Sequence, residues 1–338
     1  MNKEKAILIQ WIRFLLLIAS FTFGCKEGIF AEEAKGRGGK TREVPSDSTI
    51  TLQCVAVTLK NDDALKFSTQ YNLSKDAVQA YADLQKSIDS KQAIVSRVVS
   101  VSSKGGQKST INSGYTSLET EALAGRNLED IDADITYTNS GARIVTSVAV
   151  KNGGMNFLGC MLNPTDATTT DFIFVWASCA HGTQAVPPNP NDGRYSWNLT
   201  QQLFLITLSS NEAAAFSAKY NTEKNAMEAL SSLEHLVSQK KATSTGVFGV
   251  TVKSGLLSVS RTGKDTLTVM STLDRDGKNV NLKTIFEYTG GNITKELLVH
   301  NGEVSFLGTI SDLKVPTSTT FAFIKSSYPE VGPVTYGK

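Results

Sequence analysis

The residues of this chain with chemical potential are few, and their spacing decides how much each can do. "AKGRGGKT" (34–41) ends like a phosphate-binding loop, in which glycine N–H groups cradle phosphates and the lysine reaches them. Ala34 stands where the first Gly of such a loop belongs, and no strand-like run precedes it. It reads as part of a polar tether. "DIDAD" (130–134) offers three carboxylates, but the Gly and closing Glu of a calcium loop are missing, and alternation puts the acids on one wet strand face. "SCAHG" (178–182) sets Ser, Cys and His side by side, which is not the geometry of a catalytic triad. His181, His235 and His300 are scattered over a Pro-rich stretch, a helix and a hairpin turn, and read as solvated. Cys25, Cys54, Cys160 and Cys179 form no Cys-x-x-Cys and have no neighbouring His pair, so zinc is not indicated. The last three read as small buried strand residues, although an exported chain would also permit one bridge among them. The residues therefore imply a non-enzyme with no catalytic, cofactor or metal site.

Composition narrows the class further. The formal charge is +2, and Lys3, Lys5 and Arg13 against Glu4 already supply it (3 − 1 = 2). Without a basic excess there is no electrostatic basis for a nucleic-acid partner. Residues 1–24 read as a signal peptide, with a positive start and the apolar core "FLLLIASFTF" (14–23). Two exits are open: lipidation of Cys25 within "TFGC", or cleavage after Ala31. Residues 25–49 are polar and Gly-rich, as a flexible tether would be. Sequons at Asn72, Asn198 and Asn292 would matter only on a eukaryotic secretory route.

The strongest signal is internal repetition. "NGGMNFLG" (152–159) returns as "NGEVSFLG" (301–308), an offset of 301 − 152 = 149 residues. At that offset Leu52 to Ser178 aligns to the second half without a gap, with about 35 identities in about 127 positions, which marks a duplicated domain. The expected organisation is repeat domain 1 over 50–179, a Pro/Gly/Asn-rich linker over 180–199, repeat domain 2 over 200–328, and a tail over 329–338. In each copy a β-branched run comes first. Helical stripes follow: Ala64, Phe67 and Tyr71, then Ala77, Tyr81, Leu84 and Ile88, the latter returning as Ala226, Leu230, Leu233 and Val237. Beyond residue 93, strand-like runs are punctuated by Gly. Gly105, Gly106, Gly114, Gly153, Gly159, Gly255, Gly263, Gly302 and Gly308 are assigned to structural turns. Ile131, Ala133, Ile135 and Tyr137 alternate with polar residues, predicting a strand with one buried face. The fold class predicted is α+β: two tandem homologous domains, each a strand, two helices and a mostly antiparallel sheet.

Three stretches, in this order, resemble the C-terminal domain of bacterial secretins, the outer-membrane rings of type II and type III secretion and pilus systems. They are "SSKGGQKSTINSG" (102–114), "VAVKNGGMNFLGCML" (148–162) with Gly159 matching the first of a Gly pair, and "DFIFVWAS" (171–178). The second copy keeps Lys253, Gly255 and Gly263 but has Leu256 where the first has Gln107. Only about twenty residues separate Gly114 from Asp134, too few for membrane hairpins of nine to eleven residues per strand. The resemblance implies a secretin-like periplasmic or outer-membrane module of a bacterium. Such a module assembles with a protein partner, itself or a secretion or pilus component, through strand edges. The alternative is a monomeric exported lipoprotein or adhesin that presents loops to an extracellular ligand.

Overall fold

The computed structural model describes residues 48–125, 128–180, 198–220, 222, 224–274, 278–288, 291–311 and 317–329. The stretch read as a signal peptide, Cys25, the phosphate-loop-like stretch, His181, most of the linker and most of the tail lie outside these residues.

Repeat 1 comprises β1 (Thr49–Lys60), helices α1 (Asn61–Gln70) and α2 (Ala77–Asp89), and β2 (Ile94–Lys104), β3 (Lys108–Ser113), β4 (Thr116–Ala124), β5 (Asp130–Asn139), β6 (Ala142–Lys151), β7 (Met155–Asn163) and β8 (Asp166–Ala180). Repeat 2 follows the same order: β9 (Asn198–Ser209), α3 (Ser210–Lys219), α4 (Ala226–Ser238), β10 (Thr243–Lys253), β11 (Leu257–Thr262), β12 (Asp265–Leu273), β13 (Asn279–Tyr288), β14 (Gly291–His300), β15 (Val304–Ser311) and β16 (Ser318–Ser327). Even irregularities recur at the 149-residue offset. The bulge at Phe157/Gly159 returns at Phe306/Gly308, and the one at Ala56/Val57 has its counterpart where β9 pairs β10.

The α+β assignment is corrected by this arrangement. The described residues form a β-rich fold in which all paired strands run antiparallel, and four helices accompany sixteen strands. Each repeat contributes four strands to one sheet, in the order β7-β8-β1-β2 or β15-β16-β9-β10, and four to a second, β6-β5-β4-β3 or β14-β13-β12-β11. The corresponding sheets of the two repeats then join into two continuous eight-stranded sheets. The helical pair stands out at the start of each copy, but it is a short excursion between two strands of one sheet. The long remainder of each copy is a meander.

Side-chain alternation explains the layers. One core lies between the sheets and includes Leu52, Ile131, Ala133, Ile135, Tyr137, Ile173, Phe248 and Phe286, from both repeats. A second lies between the first sheet and the helices and includes Phe157, Phe172, Phe174, Phe204, Phe323, Leu84 and Leu233. The order is therefore helix, sheet, sheet. Cap chemistry starts α3: Ser209 Oγ accepts the Glu212 N–H at 3.3 Å, and donates to the Glu212 carboxylate at 2.7 Å.

The echo "NGGMNFLG"/"NGEVSFLG" has a structural cause. Both turns carry the chain from one sheet to the other. Gly153 and Gly302 have φ of 76° and 78°, which glycine adopts without strain. Each turn also clamps the last strand of its repeat. Asn152 Oδ1 accepts the Cys179 N–H at 2.8 Å and Asn301 Oδ1 the Tyr328 N–H at 2.9 Å. The Gly153 and Gly302 N–H groups donate to the carbonyls of Ala177 and Ser326, both at 2.8 Å. Gly106, Gly114, Gly255 and Gly263 likewise sit in turns with positive φ. Gly159 and Gly308 are not in turns: they lie inside β7 and β15, at bulges.

Candidate functional site: one joint and two open ends

The repeats meet through a joint with a direction. In the first sheet β10 pairs β7, with Gly249 opposite Cys160 and Val250 opposite Gly159. In the second, β11 pairs β6, with Val259, Ser260 and Arg261 opposite Val145, Ile144 and Arg143. The backbones come unusually close: a Cβ on Gly159 would sit 2.5 Å from the Gly249 carbonyl oxygen. Hydroxyls fasten the contact. Ser260 donates to the Cys160 carbonyl at 3.2 Å, Thr262 to that of Leu162 at 3.1 Å, and Thr146 to that of Thr251. Asn198 accepts the Ala149 N–H at 3.0 Å and donates to its carbonyl at 2.6 Å. Lys253 and Asp132 form a partly buried ion pair at 2.7 Å.

Helix α1 completes the joint by lying over β10. Ser244 Oγ donates to the Asn61 carbonyl at 3.3 Å. Lys325, from β16, donates to the carbonyls of Thr69 at 3.0 Å, Tyr71 at 3.1 Å and Ser68 at 3.4 Å. An ammonium is well matched to the negative end of a helix. Burial pushes the Lys325 amine below its ordinary value, against the opposing pull of the Glu234 and Asp76 carboxylates. Burial raises the Glu234 carboxyl in turn. Lys325→Met leaves three carbonyls without this donor and should cost on the order of 3 kcal/mol of stability. A lysine whose folded pKa is depressed gains stability as pH rises from that pKa to its unfolded value. The excess stability of wild type over Lys325→Met should thus grow with pH toward 10.5 and shrink as pH falls. Urea titrations of both proteins at stepped pH measure this, and an opposite slope would refute the assignment.

Because the joint runs head to tail, its two halves also recur, without a neighbouring strand among the described residues, at the ends of the two sheets. The β2/β3 end corresponds to β10/β11, and the β14/β15 end to β6/β7. The residues differ in the way this predicts. Val247 on β10 is 0% exposed, while its counterpart Val98 on β2 is 53% exposed. Ile94 and Val95, on the same edge strand, are also exposed, as is Leu298 on β14. Next to β2 lies a groove of about 460 Å³ lined by Thr51, Gln53, Tyr81, Val95, Val98 and Trp176. In repeat 2 the matching surface, with Lys325 in place of Trp176, is the one roofed by α1.

The other sequence candidates do not converge. Asp132 is occupied by Lys253, Asp134 accepts from Ser147, and Asp130 is exposed. A second depression, about 320 Å³, brings Asp134 near Lys108, Glu119 and Glu121, and Lys108 is already paired with Glu119. His235 and His300 are exposed and lie on different elements, α4 and the end of β14. Burial pushes the Cys54 thiol up to about 12 and raises Cys160 as well, so both are protonated and poor nucleophiles. Cys54, Cys160 and Cys179 form no disulfide with one another. Among the described residues no three His, Cys, Asp or Glu side chains gather to hold a metal, and no helix is long and apolar enough to cross a membrane.

No protein-family model matches the chain, and neither does a curated protein or a solved structure. The likeness to secretins therefore rests on the three motifs alone. Sequence reasoning missed the groove and the joint. The groove did leave a trace in "AIVSRVVSV" (93–101), which carries apolar residues at both odd and even positions, more than one buried face needs.

Proposed function

We propose that this chain is a non-catalytic, exported envelope protein that works by pairing its open strand edges with a protein partner, either itself or a secretion or pilus component. The observation that carries this reading is the β2 edge, where Ile94, Val95 and Val98 stand exposed beside the Trp176 groove. Edge strands present unpaired N–H and C=O groups and template further pairing, and water-exposed valines beside them add apolar area to bury. The secretin-like motifs and the export signal agree with an envelope setting in a bacterium. Cys25 would supply a lipid anchor.

Light scattering on the mature protein at low and high salt tests the reading. Masses above that of a single chain should appear at tens of micromolar and change little with salt, because backbone hydrogen bonds and apolar burial are weakly screened. A strictly monomeric protein, with no partner recovered by cross-linking in its native envelope, would move the reading to a ligand-presenting lipoprotein.

A further inference from the structure

We infer that copies of this chain join head to tail through a contact that repeats the internal joint, with the β2/β3 end of one molecule receiving the β14/β15 end and helix α3 of the next. This deepens the strand-edge reading above and rests on it. A chain built from two copies related by a directional contact carries the complementary halves of that contact at its two ends. Transferring the joint by the 149-residue offset gives the register. In the first sheet Ser100 would face Thr309, and Val101 would face Gly308. In the second sheet Thr110, Ile111 and Asn112 would face Thr294, Ile293 and Asn292. The internal joint places Arg261 opposite Arg143, whereas the transferred register has two neutral asparagines there.

The helix fits as well. In the internal joint Leu65 and Ser68 of α1 are buried, at 1% and 0% exposure. Their counterparts on α3, Ala214 and Ser217, are exposed, small and uncharged. The groove they would enter replaces Lys325 with Trp176 and so offers an aromatic wall in place of a cation. The transferred contact has fewer side-chain hydrogen bonds. Ser260, which donates across the joint, becomes Ile111, and the Lys253–Asp132 pair becomes Lys104 with Asn281. The contact between molecules should therefore be weaker than the internal one and concentration-dependent. If the rotation between repeats closes, the product is a ring. If it does not, the product is a filament.

Two substitutions at exposed positions separate the ends. Val98→Glu blocks the β2 end, and Ala214→Glu blocks the α3 end. Sedimentation of the full chain should show assembly by wild type, only monomer for either variant alone, and a dimer of about twice 36.4 kDa when the two variants are mixed. In that mixture one competent end of each kind remains. Val95→Glu is a second block of the β2 end should Val98→Glu fold poorly, and unchanged unfolding midpoints certify the comparison. If Ala214→Glu still self-associates while Val98→Glu does not, like ends pair. That outcome overturns the head-to-tail inference and leaves edge pairing standing. If wild type assembles and neither substitution alters it, or if wild type is monomeric at tens of micromolar, the inference falls. The monomeric result by itself leaves the strand-edge reading standing for a different envelope partner, which cross-linking then decides.

Discussion

Leu233→Ala should lower the unfolding free energy by about 2–5 kcal/mol, and Leu84→Ala by a similar amount. Both leucines lie in the middle of the helix pressed onto the first sheet, α4 for Leu233 and α2 for Leu84, and are 0% and 1% exposed. Truncation removes three carbons from a close-packed layer containing Phe157, Phe174, Phe204 and Phe323, none of which can move in cheaply. Chemical denaturation of each variant gives the number directly. A loss below about 0.5 kcal/mol at both sites would show that this face does not carry the helices.

Gly159→Val should cost about 3 kcal/mol or more, at the upper end of overpacking penalties. The obstacle is backbone. A side chain there would sit 2.5 Å from the Gly249 carbonyl oxygen, 3.0 Å from Ile144 and 3.2 Å from the Val250 Cα, so the two repeats would have to part. Hydrogen exchange should then show early loss of protection in β7 and β10, with the outer β1–β8 pairing retained longer. A Gly159→Val protein as stable as wild type would mean that the first sheet does not run continuously through β7 and β10.

The duplication, its offset, the helical stripes and the alternation of Ile131, Ala133, Ile135 and Tyr137 were legible because each is written in side chains. The joining of the repeats was not. Strand neighbours are bound by backbone groups that every residue carries, so the β10–β7 contact leaves little mark on composition. Its clearest mark is Gly159, which reads as a turn glycine in sequence but serves close approach of two strands. The same ambiguity led to the α+β expectation. Two evident helices dominate the opening of each copy, while the strands that outnumber them are spread over short Gly-punctuated runs. The β2/β3 end was hidden for a related reason: Val98 and Val247 are the same residue type, and only their neighbours in space distinguish them.

Placing β1 between β8 and β2 has a consequence for biosynthesis. Residue 49 pairs residue 180, so the first strand to leave the ribosome waits for the last strand of its repeat before its sheet can close. Contacts at such sequence separation slow folding. Even then β7 remains an unsatisfied edge until Gly249 and Val250 have been synthesised. During that interval a half-made chain displays the surface that its own second repeat will occupy, and a neighbouring nascent chain could supply β10 in its place. Exchange of repeats between chains is the characteristic error of such an architecture. The order of synthesis limits it, because the correct β10 is tethered to the waiting edge and arrives at a high local concentration.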